Sequence, residues 1–286
     1  MAQPRVLVLR APGTNCDIET AYAFERAGAV AERLHINRLR ETPAALDAFQ
    51  ILCLPGGFSY GDDVSAGRIL GNQIRVALGD QFRKFRDSGK LILGICNGFQ
   101  ILLKSGILLE DNVAESAGKQ DSLPTAQATL ALNESGRYED RWVRLNVTGD
   151  KCVFFRGVES MYLPVAHAEG KFVTRDAAVL KSLEAGGQAV LKYKPLKELA
   201  AAGTGAASMT AAASSSTHSV PYPDNPNGAT NDIAGICDAT GRVLGLMPHP
   251  ERHLDPLQHP RWTRLKELPK EGDGFALFKN AVGFFK

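Results

Sequence analysis

The spacing of apolar residues changes character near the middle of the chain. In the first half, "RVLVLR" (residues 5–10) is a short continuous run that predicts a buried strand. From Asp17 onward, Ile18, Ala21 and Tyr22 recur at helical intervals. "ILCLP" (51–55) is a second strand-like run, ending in Pro55-Gly56-Gly57. After it, Ile74, Leu78, Phe82 and Phe85 fall on one helical face, with Arg75, Arg83, Lys84 and Asp87 elsewhere on the wheel. "LILGI" (91–95) follows as a third buried run. Strands alternating with amphipathic helices predict a parallel sheet covered on both faces.

The second half reads differently. "TAQATLAL", "RWVRLNVTG", "MYLPVAHAEGKFV" and "GQAVLKYK" are strand-like segments separated by turn residues, without long helices between them. "DIAGICDATGRVLGLMPH" predicts a hairpin turning at Asp238-Ala239-Thr240-Gly241. Phe275, Phe278, Val282 and Phe285 mark a C-terminal amphipathic helix. The stretch Ala200 to Thr217 is built from Ala, Gly, Ser and Thr, and a proline-rich "PYPDNPNG" follows. It has too little bulky apolar content to pack, so a mobile surface insertion is expected at about 197–227. Strand-like sequence lies on both sides of it. The expected architecture is therefore one α/β domain over residues 1–286. It is doubly wound, with a mostly parallel sheet between two helical layers and additional antiparallel strands.

Composition narrows the function classes. With 33 basic and 31 acidic residues, the net charge of +2 gives no electrostatic reason to expect nucleic acid or an anionic membrane as partner. The N-terminal apolar run is too short for a signal-peptide core, and no later run approaches membrane-spanning length. Five cysteines, an odd number at irregular spacing, suit a reducing compartment, and a cytoplasmic protein is expected.

The chemistry is concentrated at Gly94-Ile95-Cys96-Asn97-Gly98, where a predicted strand gives way to a helix. Gly-x-nucleophile-x-Gly at such a junction is the pattern of a nucleophile elbow, here with cysteine in place of serine. The sharp turn pushes the sulfur outward at the carboxyl end of a parallel strand, into a surface cleft, where open α/β sheets place ligands. Free N–H groups at the helix start favour thiolate. Cys53 and Cys237 lie inside apolar runs and read as core. Cys152 has no supporting context, and Cys16 precedes a helix with no base to assign to it.

A cysteine nucleophile needs a base, and the base needs an orienting group. "GLMPHPERH" supplies His249 and Glu251, two apart and flanked by Pro248 and Pro250. In an extended segment both side chains point the same way, so the carboxylate can fix the imidazole tautomer. A metal site built on His249, Glu251, His253 and His259 is disfavoured, because the spacing is not H-E-x-x-H and the prolines forbid a regular helix. No metal is expected.

"GICNGFQ" with "LMPHPE" far downstream resembles the signature pair of the class I (triad) glutamine amidotransferases, whose fold is flavodoxin-like. "RAPGTNCD", "LPGGFSYGDDVSAG", "PVAHAEGKF" and "NDIAGICDATGRVLGLMPHPER" narrow the resemblance to the family of glutaminase subunits of phosphoribosylformylglycinamidine synthases, from purine biosynthesis. The Ala/Gly/Ser-rich stretch is longer than the compact form of that family needs. By position, the resemblance implies Cys96 as nucleophile, His249 as acid/base and Glu251 as its partner. It implies an oxyanion hole of the Gly57 and Asn97 N–H groups, and glutamine binding by Gly56 and Gln100. It also implies that His167 and Glu169 lie near the active-site rim, while Asp62 and Asp63 belong to an exposed loop that can face a partner. The implied reaction is hydrolysis of glutamine to glutamate and ammonia, which a separate large synthetase subunit uses to convert formylglycinamide ribonucleotide to formylglycinamidine ribonucleotide. A small accessory subunit is implied as well. The chain has no G-x-x-x-x-G-K-[ST] loop and no G-x-G-x-x-G after a strand, so ATP and Mg2+ are expected on the synthetase partner and no cofactor on this chain. A different cysteine hydrolase or glyoxalase-like enzyme of the same fold, or a non-catalytic scaffold, would not need the complete set Cys96, His249 and Glu251.

Overall fold

The computed structural model describes residues 3–110, 126–196 and 217–286. The first half runs β1 (Arg5–Arg10), α1 (Asp17–Arg26), β2 (Val30–His35), α2 (Ile36–Glu41), β3 (Ile51–Leu54), α3 (Arg68–Gln73), α4 (Gly79–Asp87), β4 (Leu91–Ile95) and α5 (Asn97–Ser105). A turn of π-helix, Ile74–Leu78, joins α3 to α4. The second half runs β5 (Ala128–Ala131), β6 (Glu139–Val147), β7 (Ser160–His167), β8 (Lys171–Thr174), α6 (Ala177–Ala185), β9 (Leu191–Lys194), β10 (Ile233–Cys237), β11 (Val243–Leu246) and α7 (Phe275–Gly283).

Nine strands form one sheet in the order β2-β1-β3-β4-β11-β10-β9-β6-β7, while β5 and β8 pair separately. From β2 to β11 the neighbours are parallel, and from β11 to β7 they are antiparallel. The α/β sheet expected from sequence, with extra antiparallel strands, is therefore the observed one. Handedness explains the two helical layers. The chain leaves β1 toward one sheet edge and β3 toward the other, so right-handed crossovers send their helices to opposite faces. The divergence also opens a crevice beyond the carboxyl ends of β1 and β3, where such sheets hold ligands.

The predicted face of the long helical segment holds: Ile74, Leu78, Phe82 and Phe85 are all buried. The face expected for α1 does not. Ile18 and Tyr22 are exposed, and the helix buries Thr20, Ala21, Ala23 and Phe24 instead. Small residues let α1 lie close to the sheet, and Phe24 meets Phe278 of α7 edge-on at 5.0 Å. A helix, α6, also intervenes between β8 and β9 where only strands were expected. Residues 197–216 of the expected insertion lie outside the described residues. Its end, 217–227, is packed only in part: the Thr217 carbonyl accepts from Asn231 N–H at 2.7 Å, and Val220, Asn225 and Asn227 are buried, while Pro221, Tyr222 and Pro223 are exposed. The two asparagine side chains satisfy the Gly228 and Ala229 N–H groups, so polar bonding replaces the missing apolar bulk. No helix among the described residues is long and apolar enough to cross a membrane.

Candidate active site

β4 ends at Ile95 and α5 begins at Asn97, which leaves Cys96 alone to turn the chain. Its φ of 51° and ψ of −105° crowd the Cβ, a strain of about 1–3 kcal/mol that the surroundings must hold. They hold it from both sides. The Cys96 N–H donates to the Leu246 carbonyl of β11 at 2.8 Å, and its own carbonyl accepts from Phe99 and Gln100. The flanking glycines are steric necessities. A Cβ on Gly98 would sit 1.9 Å from the Leu54 carbonyl oxygen, and one on Gly94 would sit 2.6 Å from Leu102 Cδ1. With no side chain at either place, α5 lies directly on β3 and β4, and its N-terminus is aimed at the sulfur's surroundings. Cys96 is more enclosed than a surface cleft implies, at 5% exposure, with the Ala166 carbonyl 3.7 Å from Sγ.

His249 and Glu251 follow β11, the neighbour of β4. His249 N–H donates to the Pro164 carbonyl at 2.8 Å, and its Nδ1 lies 2.6 Å from Glu251 Oε1. The pairing expected from sequence is present, but the backbone differs. Pro250–Arg252 is a single 3-10 turn with the proline at its first position, and this turn brings Glu251 beneath the imidazole. Both side chains are almost fully buried. Burial opposes charge on His249, yet the Glu251 carboxylate and the neighbouring Cys96 and Cys16 sulfurs outweigh it, holding its pKa well above the ordinary value. His249 is thus arranged to carry a proton close to Cys96.

Gly56 and Gly57 follow β3 on the other side of Cys96's strand. Gly57 has φ +127°, and a Cβ there would lie 2.7 Å from Asn15 N. Among the described residues, neither Gly57 N–H nor Asn97 N–H is taken up by another group. Asn97's side chain organises the rest. Its Oδ1 accepts from the Ser59 hydroxyl at 2.6 Å, while its Nδ2 donates to Asp62 Oδ1 and to Gln100 Oε1. Gln100 Nε2 in turn donates to the Glu169 carbonyl at 2.6 Å, so both ends of this buried amide are engaged. The Glu169 carboxylate accepts from Ala66 N–H. Asp62 is therefore not simply exposed. Burial first, and then the Glu169 charge, push its pKa up to about 6.

His167 is interior, not at a rim. It hydrogen-bonds Asn133 Oδ1 at 3.2 Å, and burial lowers its pKa to about 3. His253 faces the Tyr162 carbonyl at 2.8 Å and lies edge-on to Trp142. Cys53, Cys152 and Cys237 are buried in the core. Sequence reasoning missed Cys16. This buried thiol follows β1, accepts from Arg252 Nη2 at 3.2 Å, and lies on the His249 side of Gly56. "GTNCD" beside a helix start carries no hint of a contact with a segment so distant in the chain.

The model of the CobB/CobQ-like glutamine amidotransferase domain matches residues 3–285 of this chain. The phosphoribosylformylglycinamidine synthase subunit PurQ of Dehalococcoides mccartyi is 44% identical over 283 residues, covering 99% of this chain and 98% of that protein. The subunit of the same name from Methanococcus maripaludis is 38% identical, covering 99% and 97%. Among solved structures, a chain of PurLQS from Thermotoga maritima superposes with a TM-score of 0.67 at 28% identity, with 100% of both chains covered.

Proposed function

From its membership of the CobB/CobQ-like glutamine amidotransferase family, to which this chain belongs over almost its whole length, we infer that it is the glutaminase subunit of a phosphoribosylformylglycinamidine synthase. The observation that carries this reading is a strained Cys96 at a helix N-terminus beside a buried His249–Glu251 pair. In the proposed reaction, the Cys96 thiolate attacks the side-chain carboxamide carbon of glutamine. The oxyanion is received by the Gly57 and Asn97 N–H groups. His249 gives its proton to the departing ammonia, and Glu251 stabilises the imidazolium and fixes its orientation. The resulting γ-glutamyl thioester is cleaved by water, with His249 now the base, releasing glutamate.

The ammonia goes to a synthetase partner, which uses ATP and Mg2+ to convert formylglycinamide ribonucleotide to formylglycinamidine ribonucleotide. The relatives' names, each a subunit of that synthase, support this assignment of partner and product. The test is to mix purified chain with the synthetase and accessory subunits, ATP, Mg2+ and formylglycinamide ribonucleotide, and to follow glutamate and amidine product together. Amidine formation from glutamine that stops when this chain is omitted, while added ammonia still serves, is the expected result. A complex that uses glutamine equally well without the chain would overturn the reading.

A further inference from the structure

We propose that Cys16, His249 and Glu251 form an inhibitory site for a thiophilic divalent cation such as Zn2+. One ligand atom from each of these three buried residues lies within 4.8 Å of the other two. Zinc bonds of about 2.0–2.3 Å put tetrahedral ligands about 3–4 Å apart, so only a small closure of side chains is needed. Cys16 Sγ and His249 Nδ1 converge on one point beside Gly56, at 3.2 and 3.4 Å from where its Cβ would be. Glu251 supplies Oε2, a buried oxygen with no hydrogen-bond partner among the described residues. The set is one sulfur, one nitrogen and one oxygen, with water to complete the tetrahedron, a donor set that selects Zn2+ over Mg2+ or Ca2+.

Charge also fits. Burial, the largest influence, raises the Cys16 pKa, and Arg252, which donates to Cys16 Sγ and to Glu19 Oε1, offsets only part of that, so the thiol proton is displaced by the metal rather than lost beforehand. The Cys16 thiolate, Glu251 and Glu19, offset by Arg252, leave two negative charges around the position, matching a divalent ion. Binding releases two protons to solvent, one from the Cys16 thiol and one from His249 Nδ1, with no change of oxidation state. The inhibition follows from the tautomer. With the metal on Nδ1, the imidazole holds its remaining proton on Nε2, a buried nitrogen with no hydrogen-bond partner among the described residues. It then has no lone pair with which to take a proton from the thiol or from water.

Inhibition rests on the glutaminase reading above, whereas binding does not, and the experiment separates them. Cd2+ is titrated into metal-stripped full chain carrying Cys96→Ala, which removes the nucleophile's own thiol. One Cd2+ per chain with a sulfur-to-cadmium charge-transfer band is expected, and adding Cys16→Ser should remove the band and weaken binding by roughly 100-fold. Cys53, Cys152 and Cys237 are present in both proteins, so their contribution cancels. Thermal melting of both variants establishes that they are folded. In the assembled wild-type enzyme, Zn2+ should inhibit glutamine hydrolysis reversibly by chelator. The proposal is overturned if the Cys96→Ala protein takes up no stoichiometric Cd2+, or if the Cys16→Ser change leaves its affinity as it was.

Discussion

At the scale of single residues, Cys96 separates chemistry from strain. Replacing it with alanine should abolish glutamine hydrolysis yet leave a folded protein, because only one sulfur is removed. Cys96→Gly should be equally inactive but more stable than Cys96→Ala by about 1 kcal/mol, since glycine adopts φ 51° without crowding. Denaturant midpoints of the two variants check this, and an alanine variant as stable as the glycine one would show an unstrained turn. The loop carboxylate Asp62 gives a second test. Its folded pKa of about 6, against 3.8 ordinarily, means the native state holds a proton that the unfolded state has lost. Stability from this group is therefore present below pH 4 and declines as pH rises toward 6. The groups facing it are Glu169 and Lys104, the latter itself beside Arg68. Asp62→Asn tolerates the residue's φ of 56° and keeps an acceptor for Asn97. It should raise the melting temperature at pH 7.5 and lose that advantage near pH 4. An advantage independent of pH would place its origin elsewhere. Asp62 also marks a limit of sequence reading. Two adjacent acids suggest solvent, and only the fold folds one of them back onto Asn97.

At the scale of elements, the strand–turn–helix β4-Cys96-α5 was fully legible, because its two glycines report a steric requirement of the turn itself. Gly98→Ala should consequently be among the most damaging changes in the chain. Its new Cβ would meet a backbone oxygen at 1.9 Å, which no rotamer relieves, and a loss of about 3 kcal/mol or more is expected. Urea unfolding measures it. A loss below about 1 kcal/mol would mean that α5 lifts from β3 easily. The elements that sequence did not disclose are those whose burial is set by neighbours. β2 is an edge strand with Val30 about half exposed, so its residues carry no apolar run. α1 was legible as a helix but not in its orientation, because alanines and Thr20 rather than Ile18 and Tyr22 face the sheet. Pairing of His249 with Glu251 was foreseen from spacing, though it is a 3-10 turn and not an extended segment that makes it.

At the scale of the whole molecule, the sheet gathers the ends of β1, β3, β4 and β11, and with them Cys16, Gly57, Cys96 and His249, into one crevice. Its α/β order was readable from alternating periods, whereas contacts across the crevice, such as Arg252 with Cys16 and Glu19, have no local signature. In the free chain the Gln100 amide is engaged at both ends by Asn97 and Glu169. On the proposed role of Gln100, these two bonds compete with its hold on glutamine. Assembly with the synthetase is therefore expected to raise glutaminase kcat/KM by at least about tenfold. Steady-state rates of free and assembled protein decide it, and equal rates would mean the crevice is already competent. The insertion of β11 beside β4 has a further consequence for biosynthesis on the ribosome. The bond of the Cys96 backbone N–H and the position of His249 both depend on β11, a strand translated long after β4 and α5. A nascent chain that has already built β1 through α5 has its cysteine in place but nothing to complete the turn or accept a proton. On the proposed reading, glutamine-hydrolysing activity is thus withheld until β11 and His249 have been made, and products truncated before them carry an inert thiol.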